Sequence, residues 1–367
     1  MNKSADAIRV LIVDDSAVIR GALGRIVDAE QDMLVVTTAP NGRVALDALR
    51  HSPVDVVLLD IEMPEMDGLT ALPQILSQYP DTRVIMASSL TQRGAEVTMQ
   101  ALALGAADYI SKPAARSGSA TLASIAIEIA SKIRAIGRSA RGRRAAVRPG
   151  GTTAPSALRI PVRTELLASR TAVAMPRILA IASSTGGPNA LADVLGGLPN
   201  DFPLPILITQ HMPAVFTLLL AQRLERDTHR PCGEARDGEP ILANHVYVAP
   251  GGLHMIVRTD EGRPYIKLME TEPENFCRPS ADPMMRSIAA MYGASTLAVV
   301  LTGMGDDGMR GCKHVHARGG PIVVQDEATS VVWGMPGAVA NAGLASVIVP
   351  LPKIADTIMS YCGAGVS

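Results

Sequence analysis

Short apolar segments alternate with amphipathic segments along two long stretches of the chain. In the first stretch, residues 8 to about 135, five apolar segments of strand length are separated by segments with the period of a helix. The strand candidates are IRVLIV, MLVVTTA, VDVVLLD, TRVIMAS and ADYIS. Repeated strand–helix units predict a parallel sheet covered by helices on both faces. We therefore predict a five-stranded parallel α/β domain over residues 8–128.

The second stretch begins near Arg177 and repeats the alternation. RILAIA, LPILITQ, TLAVVLTG, PIVVQD and ASVIVP are strand candidates between helix-like segments. HVYVAP, GLHMIVR and RPYIKLM are shorter and separated by turn residues, which favours β-hairpins inserted into the sheet. We therefore predict a doubly wound, mostly parallel α/β domain with an inserted β-hairpin region over residues 175–365.

The apolar pattern fades between these two stretches. No acidic residue occurs from Lys132 to Thr164, and six arginines fall between Arg134 and Arg148. Glycine, alanine, proline, serine and threonine fill most of the remainder, so we predict a flexible linker over residues 129–174. A basic run can also bind nucleic acid, but this run has no aromatic residue and no DNA-reading motif beside it. We expect no nucleic-acid partner.

Composition narrows the class of protein. The chain has 367 residues, 47% of them hydrophobic, and a formal net charge of −1, which gives no overall attraction to nucleic acid or anionic membranes. Its four cysteines are far apart and form no CxxC motif, which argues against a zinc ribbon or a disulfide framework. The first residues carry acids where a signal peptide needs apolar residues, and no apolar run is long enough to span a bilayer. We expect a cytoplasmic protein without direct membrane insertion.

Charged and hydroxyl side chains follow the strands of the first domain. Asp14 and Asp15 end the first strand, Asp60 ends the third, Ser88 ends the fourth and Lys112 follows the fifth. Because the carboxyl ends of parallel strands share one edge of a sheet, these groups are expected to lie together. Clustered carboxylates favour a hard cation such as Mg²⁺, while an ammonium and a hydroxyl can bind a phosphoryl group on Asp60. Taken singly, each aspartate could equally be a turn or N-cap residue.

The motifs VDDSAVIR, LLDIEMPEMDG, IMASS and DYISKP resemble the receiver domain of two-component response regulators. The resemblance implies a flavodoxin-like fold over residues 8–128, with Asp60 accepting phosphate from a sensor histidine kinase. It implies a Mg²⁺ site built from Asp14, Asp15, Asp60 and the backbone of Glu62. It implies a phosphoryl switch formed by Ser88, Tyr109 and Lys112.

Two adjacent serines, Ser183 and Ser184, lie between an apolar strand and a glycine-rich turn in RILAIASSTGGPNAL. A serine nucleophile needs a base, usually a histidine that is oriented by a carboxylate. Of the seven histidines, only His211 directly follows a clear apolar strand, and LTGMGDDG presents Asp306 and Asp307 after another. Three strand ends could thus form an acyl-transfer site, with backbone N–H groups of the turn as oxyanion donors. Taken one at a time, each serine could be a turn residue, the histidine a structural residue and each aspartate an N-cap residue.

The order of these residues, Ser–His–Asp, differs from the Ser–Asp–His order of lipase-type hydrolases, and Ala182 replaces the first glycine of their G-x-S-x-G motif. Instead, IASSTGGPNAL, QHMPAVFT, YVAPGGLHM, CRPSADPMM, LTGMGDDG and QDEATSVVWGMPGAV resemble the catalytic domain of the CheB family of chemotaxis protein-glutamate methylesterases. The resemblance implies Ser184 as nucleophile, His211 as base and Asp307 as the group that orients it. The family usually has Gly-Ala where this chain has Ala182-Ser183, which adds a methyl group and a hydroxyl near the turn.

The resemblance implies a phosphorylation-activated enzyme that hydrolyses glutamyl methyl esters on the cytoplasmic domain of chemoreceptors, releases methanol and also deamidates receptor glutamines. A sensor histidine kinase of the CheA type would be the phosphodonor, and the esterase would need no cofactor. Two alternatives stay open. One is a catalytically silent, phosphorylation-gated binding module. The other is a DNA-binding response regulator that uses the arginine-rich linker, although no helix-turn-helix candidate follows the first domain.

Overall fold

The structure, a computed structural model, describes residues 6–89, 91–113, 119–147 and 174–363. The chain divides between Val147 and Arg148 into two units. Each unit contains its own parallel sheet, as the alternation of apolar and amphipathic segments predicts.

The first unit is a five-stranded parallel sheet. Its strands are β1 (Ile8–Val13), β2 (Met33–Ala39), β3 (Val56–Asp60), β4 (Arg83–Ser88) and β5 (Asp108–Ser111). Their order is β2-β1-β3-β4-β5, which is the flavodoxin-like order. All five residues of the central strand β3 are buried, as expected for a sheet with helices on both faces. The predicted fold of this domain is confirmed.

Helices connect these strands. They are α1 (Ala17–Ala29), α2 (Gly42–His51), α3 (Gly68–Gln78), α4 (Gln92–Ala103) and α5 (Ser119–Val147). The first four begin after polar N-cap residues whose side chains accept backbone N–H groups, namely Ser16, Asn41, Asp67 and Thr91. These caps place the start of each helix directly after the C-terminal edge of the sheet, where the charged residues lie.

Helix α5 extends into the segment predicted as linker, so residues 129–147 are helical. Buried side chains continue along one face of α5 as far as Ala140. Arg134 and Arg138 pair with Asp32, at 2.8 and 3.0 Å, and Arg141 pairs with Asp6. Some arginines of the basic run thus form ion pairs with aspartates of the first unit. Composition alone does not reveal these pairs. Residues 148–173 of the predicted linker lie outside the described residues.

The second unit contains a seven-stranded parallel sheet. Its strands are β6 (Ile178–Ser183), β7 (Ile206–Gln210), β8 (Cys232–Glu234), β9 (Val246–Val248), β12 (Thr296–Val300), β13 (Ile322–Gln325) and β14 (Val347–Val349). The order is β14-β13-β12-β6-β7-β9-β8, and one antiparallel hairpin joins β10 (His254–Asp260) to β11 (Arg263–Met269). The predicted doubly wound domain with an inserted hairpin is confirmed.

One strand assignment is corrected. HVYVAP, predicted as part of the hairpin region, supplies β9, which pairs in parallel with both β7 and β8. Its three residues are buried, so β9 is an interior strand of the sheet. A strand this short has no length or period that separates an interior parallel strand from a hairpin arm.

The helices of the second unit are α6 (Gly187–Gly196), α7 (Ala214–Thr228), α8 (Ala281–Tyr292), α9 (Met309–Ala317), α10 (Met335–Asn341) and α11 (Ile354–Tyr361). Two 3-10 helices, Gly293–Ser295 and Leu351–Lys353, complete it. Among the helices in the described part of the chain, none is both long and apolar enough to cross a membrane.

Strand register brings three chain segments to one point on the edge of the second sheet. Strand β6 lies between β12 and β7, with Ala182 opposite Val300 and Ser183 opposite Gln210. The three strands therefore end at nearly the same level. The residues that follow them, including Ser184 and His211, leave the sheet side by side.

Candidate active site and phosphoryl-acceptor site

The serine turn after β6 contains two glycines. Gly186 has a φ of +78°, and a β-carbon there would lie 2.6 Å from Val331. A β-carbon on Gly187 would lie 1.9 Å from Gln210 Oε1. A side chain at Gly186 would be strained and would press on Val331, and one at Gly187 would displace Gln210, so the turn favours glycine at both positions.

The two serines have different surroundings. Ser183 is fully buried, and its hydroxyl donates to Gln210 Oε1 at 2.6 Å. Gln210 Nε2 in turn donates to the carbonyl of Ser184 at 2.9 Å, and the Ser184 N–H donates to the carbonyl of Thr302 at 3.0 Å. Ser184 is half-buried. The Ser183 hydroxyl therefore helps to hold the turn, and the Ser184 side chain stands at the partly open edge.

The methyl group of Ala182 does not crowd the turn. It lies in the buried apolar cluster of the sheet, within strand β6 and opposite Val300. The turn begins only after Ser183, where the strand ends. The departure from the usual Gly-Ala pair is thus accommodated by the core and by the hydrogen bond of Ser183 with Gln210.

His211 and Asp307 form a buried pair at the same edge. His211 Nε2 lies 2.7 Å from Asp307 Oδ2, and Asp307 is 2% exposed. The carboxylate also accepts from three further donors, each within 2.7 Å: Ala281 N, Ser280 Oγ and Asn275 Nδ2. An ionised carboxylate can only accept, so Nε2 carries the imidazole proton and Nδ1 is the basic nitrogen.

The surroundings keep Asp307 ionised. Burial opposes ionisation, but the hydrogen bonds from His211, Ser280 and Ala281 outweigh it and lower the pKa of Asp307 to about 2. Burial likewise acts to lower the pKa of His211, but the hydrogen bond with Asp307 and a contact with Cys277 outweigh it and raise that pKa above 6.5. The carboxylate thus strengthens the base.

Several residues of this site escape sequence reasoning. Cys277 Sγ lies 3.6 Å from His211 Nδ1, and Asn275 and Ser280 reach Asp307 from the segment that joins β11 to α8. Their only signal in the sequence is their place in or beside the CRPSADPMM motif, which does not say which carboxylate they contact. Asp306, the other acid of the GDDG turn, is exposed.

The acidic cluster of the first unit forms as predicted. One carboxylate oxygen each from Asp14, Asp15 and Asp60 lies within 4.8 Å of the others, the one such group found among the described residues. Lys112 Nζ lies 2.6 Å from Asp60 Oδ1 and 2.9 Å from Asp14 Oδ2. Burial, reinforced by the charge of Asp14 and opposed by Lys112, raises the pKa of Asp60. Three hard oxygen donors at one sheet edge, two of them buried, fit a Mg²⁺ ion.

The structure places the three predicted switch residues in two different surroundings. Ser88 lines one cleft together with Asp60, Lys112 and the exposed Glu62, and its hydroxyl accepts from Thr98 Oγ1 at 2.6 Å. Tyr109 is instead buried beside α5. Its ring lies 4.8 Å from Lys132 Nζ, and burial raises its pKa well above the usual value. Thr98 and Lys132, which hold these two side chains, were not predicted.

A flavodoxin-like unit with an acidic pocket, joined to an α/β unit with a Ser–His–Asp edge, defines a response regulator with a hydrolase domain. A family model described as response regulator receiver domain matches residues 10–121, and one described as CheB methylesterase matches residues 179–358.

Curated relatives agree with both matches. A protein-glutamate methylesterase/protein-glutamine glutaminase of Rhodospirillum centenum is 47% identical, covering 96% of this chain and 94% of the relative. One from Paramagnetospirillum magneticum is 49% identical, covering 97% and 96%. The crystal structure of the Thermotoga maritima CheB methylesterase catalytic domain has a TM-score of 0.50 and 38% identity, covering 50% of this chain and 98% of that one. The chain belongs to the CheB family of response-regulator methylesterases.

Proposed function

We propose that this chain hydrolyses glutamyl methyl esters on the cytoplasmic domain of chemoreceptors and that phosphorylation of Asp60 activates it. The observation that carries the esterase assignment is the His211–Asp307 pair, 2.7 Å apart, on the strand end that adjoins Ser184. A buried, ionised carboxylate that orients an imidazole is the arrangement by which serine hydrolases generate a nucleophile.

In the proposed mechanism Ser184 Oγ attacks the ester carbonyl while His211 Nδ1 takes the hydroxyl proton. Nδ1 has this role because Nε2 is bound to Asp307. The tetrahedral oxyanion would be stabilised by the positive end of the α6 dipole and by backbone N–H groups of the serine turn. Gly187 N–H is not among them, since it donates to the Ser184 carbonyl at 2.7 Å, and Pro188 has no N–H. His211 then gives the proton to the departing methoxide, which leaves as methanol, and a water molecule hydrolyses the acyl-enzyme by the reverse proton transfers.

The same residues suffice for deamidation of receptor glutamines. A glutamine carbonyl gives the same acyl-enzyme, with ammonia leaving in place of methanol after protonation by His211. The names of the curated relatives include both activities, protein-glutamate methylesterase and protein-glutamine glutaminase, and this supports the second activity here.

For the receiver we propose that a sensor histidine kinase of the CheA type transfers phosphate to Asp60. Asp14, Asp15 and Asp60, with the backbone of Glu62, would hold Mg²⁺, which when bound offsets the charge of the carboxylates and the phosphoryl group. Lys112 already lies against Asp60 and would pair with a phosphoryl oxygen.

The remaining switch residues would respond to the phosphoryl group. Ser88 would turn from Thr98 toward a phosphoryl oxygen, since its hydroxyl lines the cleft beside Asp60. Tyr109, on β5 and already buried beside Lys132, would respond through this packing. Phosphorylation would thus change contacts on β4 and β5 as well as at Asp60.

Methanol release from a methylated receptor tests the esterase proposal. Ser184→Ala should abolish release, whereas Ser183→Ala should retain most of it, since it leaves one buried acceptor, Gln210 Oε1, without its donor at a cost of about 1–3 kcal/mol. Equal loss in both variants would contradict the assignment of Ser184. No release by the wild-type protein, with or without a phosphodonor, would favour the silent binding module.

Acetyl phosphate or a phosphorylated kinase tests the receiver proposal. In the wild-type protein the phosphodonor should raise the rate of methanol release. Asp60→Asn should remove that increase, because the amide cannot accept the phosphoryl group. A phosphodonor response that survives in Asp60→Asn would contradict activation through Asp60.

A further inference from the structure

One loop between β11 and α8 is attached to both members of the His211–Asp307 pair. Asn275 Nδ2 donates to Asp307 Oδ1 at 2.7 Å, and Cys277 Sγ lies 3.6 Å from His211 Nδ1. Phe276 lies between these two anchors. Its backbone is therefore held beside the candidate catalytic residues by its immediate neighbours on either side.

The loop is braced independently of Phe276. Glu274 accepts two hydrogen bonds from Arg286 of α8, at 2.8 and 3.1 Å, and its carbonyl accepts from Cys277 N at 2.9 Å. Asn275 Nδ2 also lies 2.8 Å from Asp282 Oδ2. These bonds define the path of the loop, and none of them uses the Phe276 side chain.

The Phe276 side chain is exposed, and its backbone is strained. Its relative exposure is 104%, the highest among the exposed large hydrophobic residues of the described chain. Its φ is +61°, a left-handed conformation that disfavours an aromatic residue, and Asn275 before it has a φ of +53°. An exposed ring in a strained backbone contributes nothing to folding. Strain held by surrounding contacts is typical of positions with a function.

Other apolar side chains are exposed on the neighbouring element. Helix α7 begins at Ala214, soon after His211, and Val215 and Leu218, which share one face of it, are 40% and 46% exposed. The turn at 251–252 connects this helix start to the loop. A β-carbon on Gly251 would lie 2.1 Å from Ala214 N, and Gly252 N donates to the carbonyl of Arg278 at 3.0 Å. Apolar groups thus follow His211 along the chain and lie beside it in the loop.

We infer that Phe276 is a substrate-binding residue of the esterase, whose ring packs on the apolar face of the receptor helix that carries the methylated glutamate. This inference rests on the proposed function, because it takes the receptor as the occupant of the site. A side chain that presents an ester to Ser184 and His211 brings its own helix next to Phe276, since the neighbours of Phe276 contact His211 and Asp307. A methylated glutamate is uncharged, so an apolar contact beside it leaves no charge desolvated.

The test separates binding from chemistry. Phe276→Ala should raise KM for methylated receptor about tenfold, the effect of losing one aromatic contact, while kcat changes less than twofold. Phe276→Leu should restore most of the affinity. Ile348→Ala, an exposed apolar residue on the edge strand β14, is the matched control and should leave KM unchanged.

A second measurement makes the inference independent of turnover. In a Ser184→Ala background, Phe276→Ala should weaken binding of the full chain to methylated receptor about tenfold. If this loss occurs while the wild-type chain releases no methanol, the contact stands and the proposed function fails. An unchanged Kd and KM would overturn the inference. A parallel fall in kcat and in the rate at which a serine-directed fluorophosphonate labels Ser184 would also overturn it. Such a result would mean that the Phe276 ring only supports the loop.

Discussion

Replacement of Asp307 by asparagine removes the carboxylate on which the candidate active site is built. The amide keeps the shape of the side chain but turns one of its two acceptor oxygens into an NH₂ donor. In one orientation this group faces His211 Nε2 and Ala281 N, and in the other it faces Ser280 Oγ and Asn275 Nδ2. In the first orientation Ala281 N loses its acceptor, while His211 can carry its proton on Nδ1 and accept at Nε2. In the second, Asn275 Nδ2 loses one of its two acceptors, while the Ser280 hydroxyl can turn and accept.

The replacement should lower both the free energy of unfolding and kcat. One buried donor that loses its acceptor predicts a loss of about 1–3 kcal/mol from the free energy of unfolding. The pKa of Asp307, about 2 against the usual 3.8, reflects the same hydrogen bonds and corresponds to about 2 kcal/mol. Because this pKa is depressed by folding, that stability is present above pH 3.8 and is lost as the pH falls toward 2. For catalysis we expect kcat to fall about 10⁴-fold, because an amide NH₂ facing Nε2 selects the tautomer that carries its proton on Nδ1, and that nitrogen can then no longer act as the base.

Methanol release and urea unfolding of the full chain measure the two effects together. Asp306→Asn is the matched control, because the neighbouring carboxylate is exposed and only its backbone carbonyl takes part in the turn. It should change kcat and stability little. Retention of a tenth of the wild-type kcat in Asp307→Asn, or an equal loss in Asp306→Asn, would refute the role given to this carboxylate.

Two further predictions follow from the same site. The acid limb of kcat/KM should have its midpoint above pH 6.5, because the pKa of His211 is raised and its basic form appears only as the pH rises; a midpoint at or below 6.5, read from a pH–rate profile, would contradict this. Gly187→Ala should abolish methanol release and destabilise the fold, since its β-carbon would lie 1.9 Å from Gln210 Oε1. Gly196→Ala in the same helix, with no atom within 4 Å, should be tolerated, and thermal unfolding that ranks the two the other way would count against the described turn.

Sequence patterns predicted the strand ends well because buried parallel strands are uninterrupted apolar runs. Ser184, His211 and Asp307 each follow such a run, and the structure brings the segments that contain them to one sheet edge. The choice between Ser183 and Ser184 was not available from the pattern. It depends on the hydrogen bond from Ser183 to Gln210, which exists only once β6 and β7 are paired.

Other features could not be predicted because they depend on contacts between distant segments. Asn275 and Cys277 reach the site from a loop in or beside the CRPSADPMM motif, and the motif does not show which side chains of the site they contact. The helical continuation over 129–147 is held partly by ion pairs of arginines with Asp32 and Asp6, both near the start of the chain. Composition records the arginines but not their partners.

Mapping the adduct of a serine-directed fluorophosphonate by peptide mass spectrometry tests the central claim most directly. The probe reacts with a serine only where a base and an oxyanion site activate it. We predict a single adduct on Ser184, formed by the wild-type protein and by Ser183→Ala, and greatly slowed in Asp307→Asn. An adduct on Ser183, or equal labelling with and without the Asp307 carboxylate, would contradict the assignment of Ser184, His211 and Asp307 as one catalytic unit.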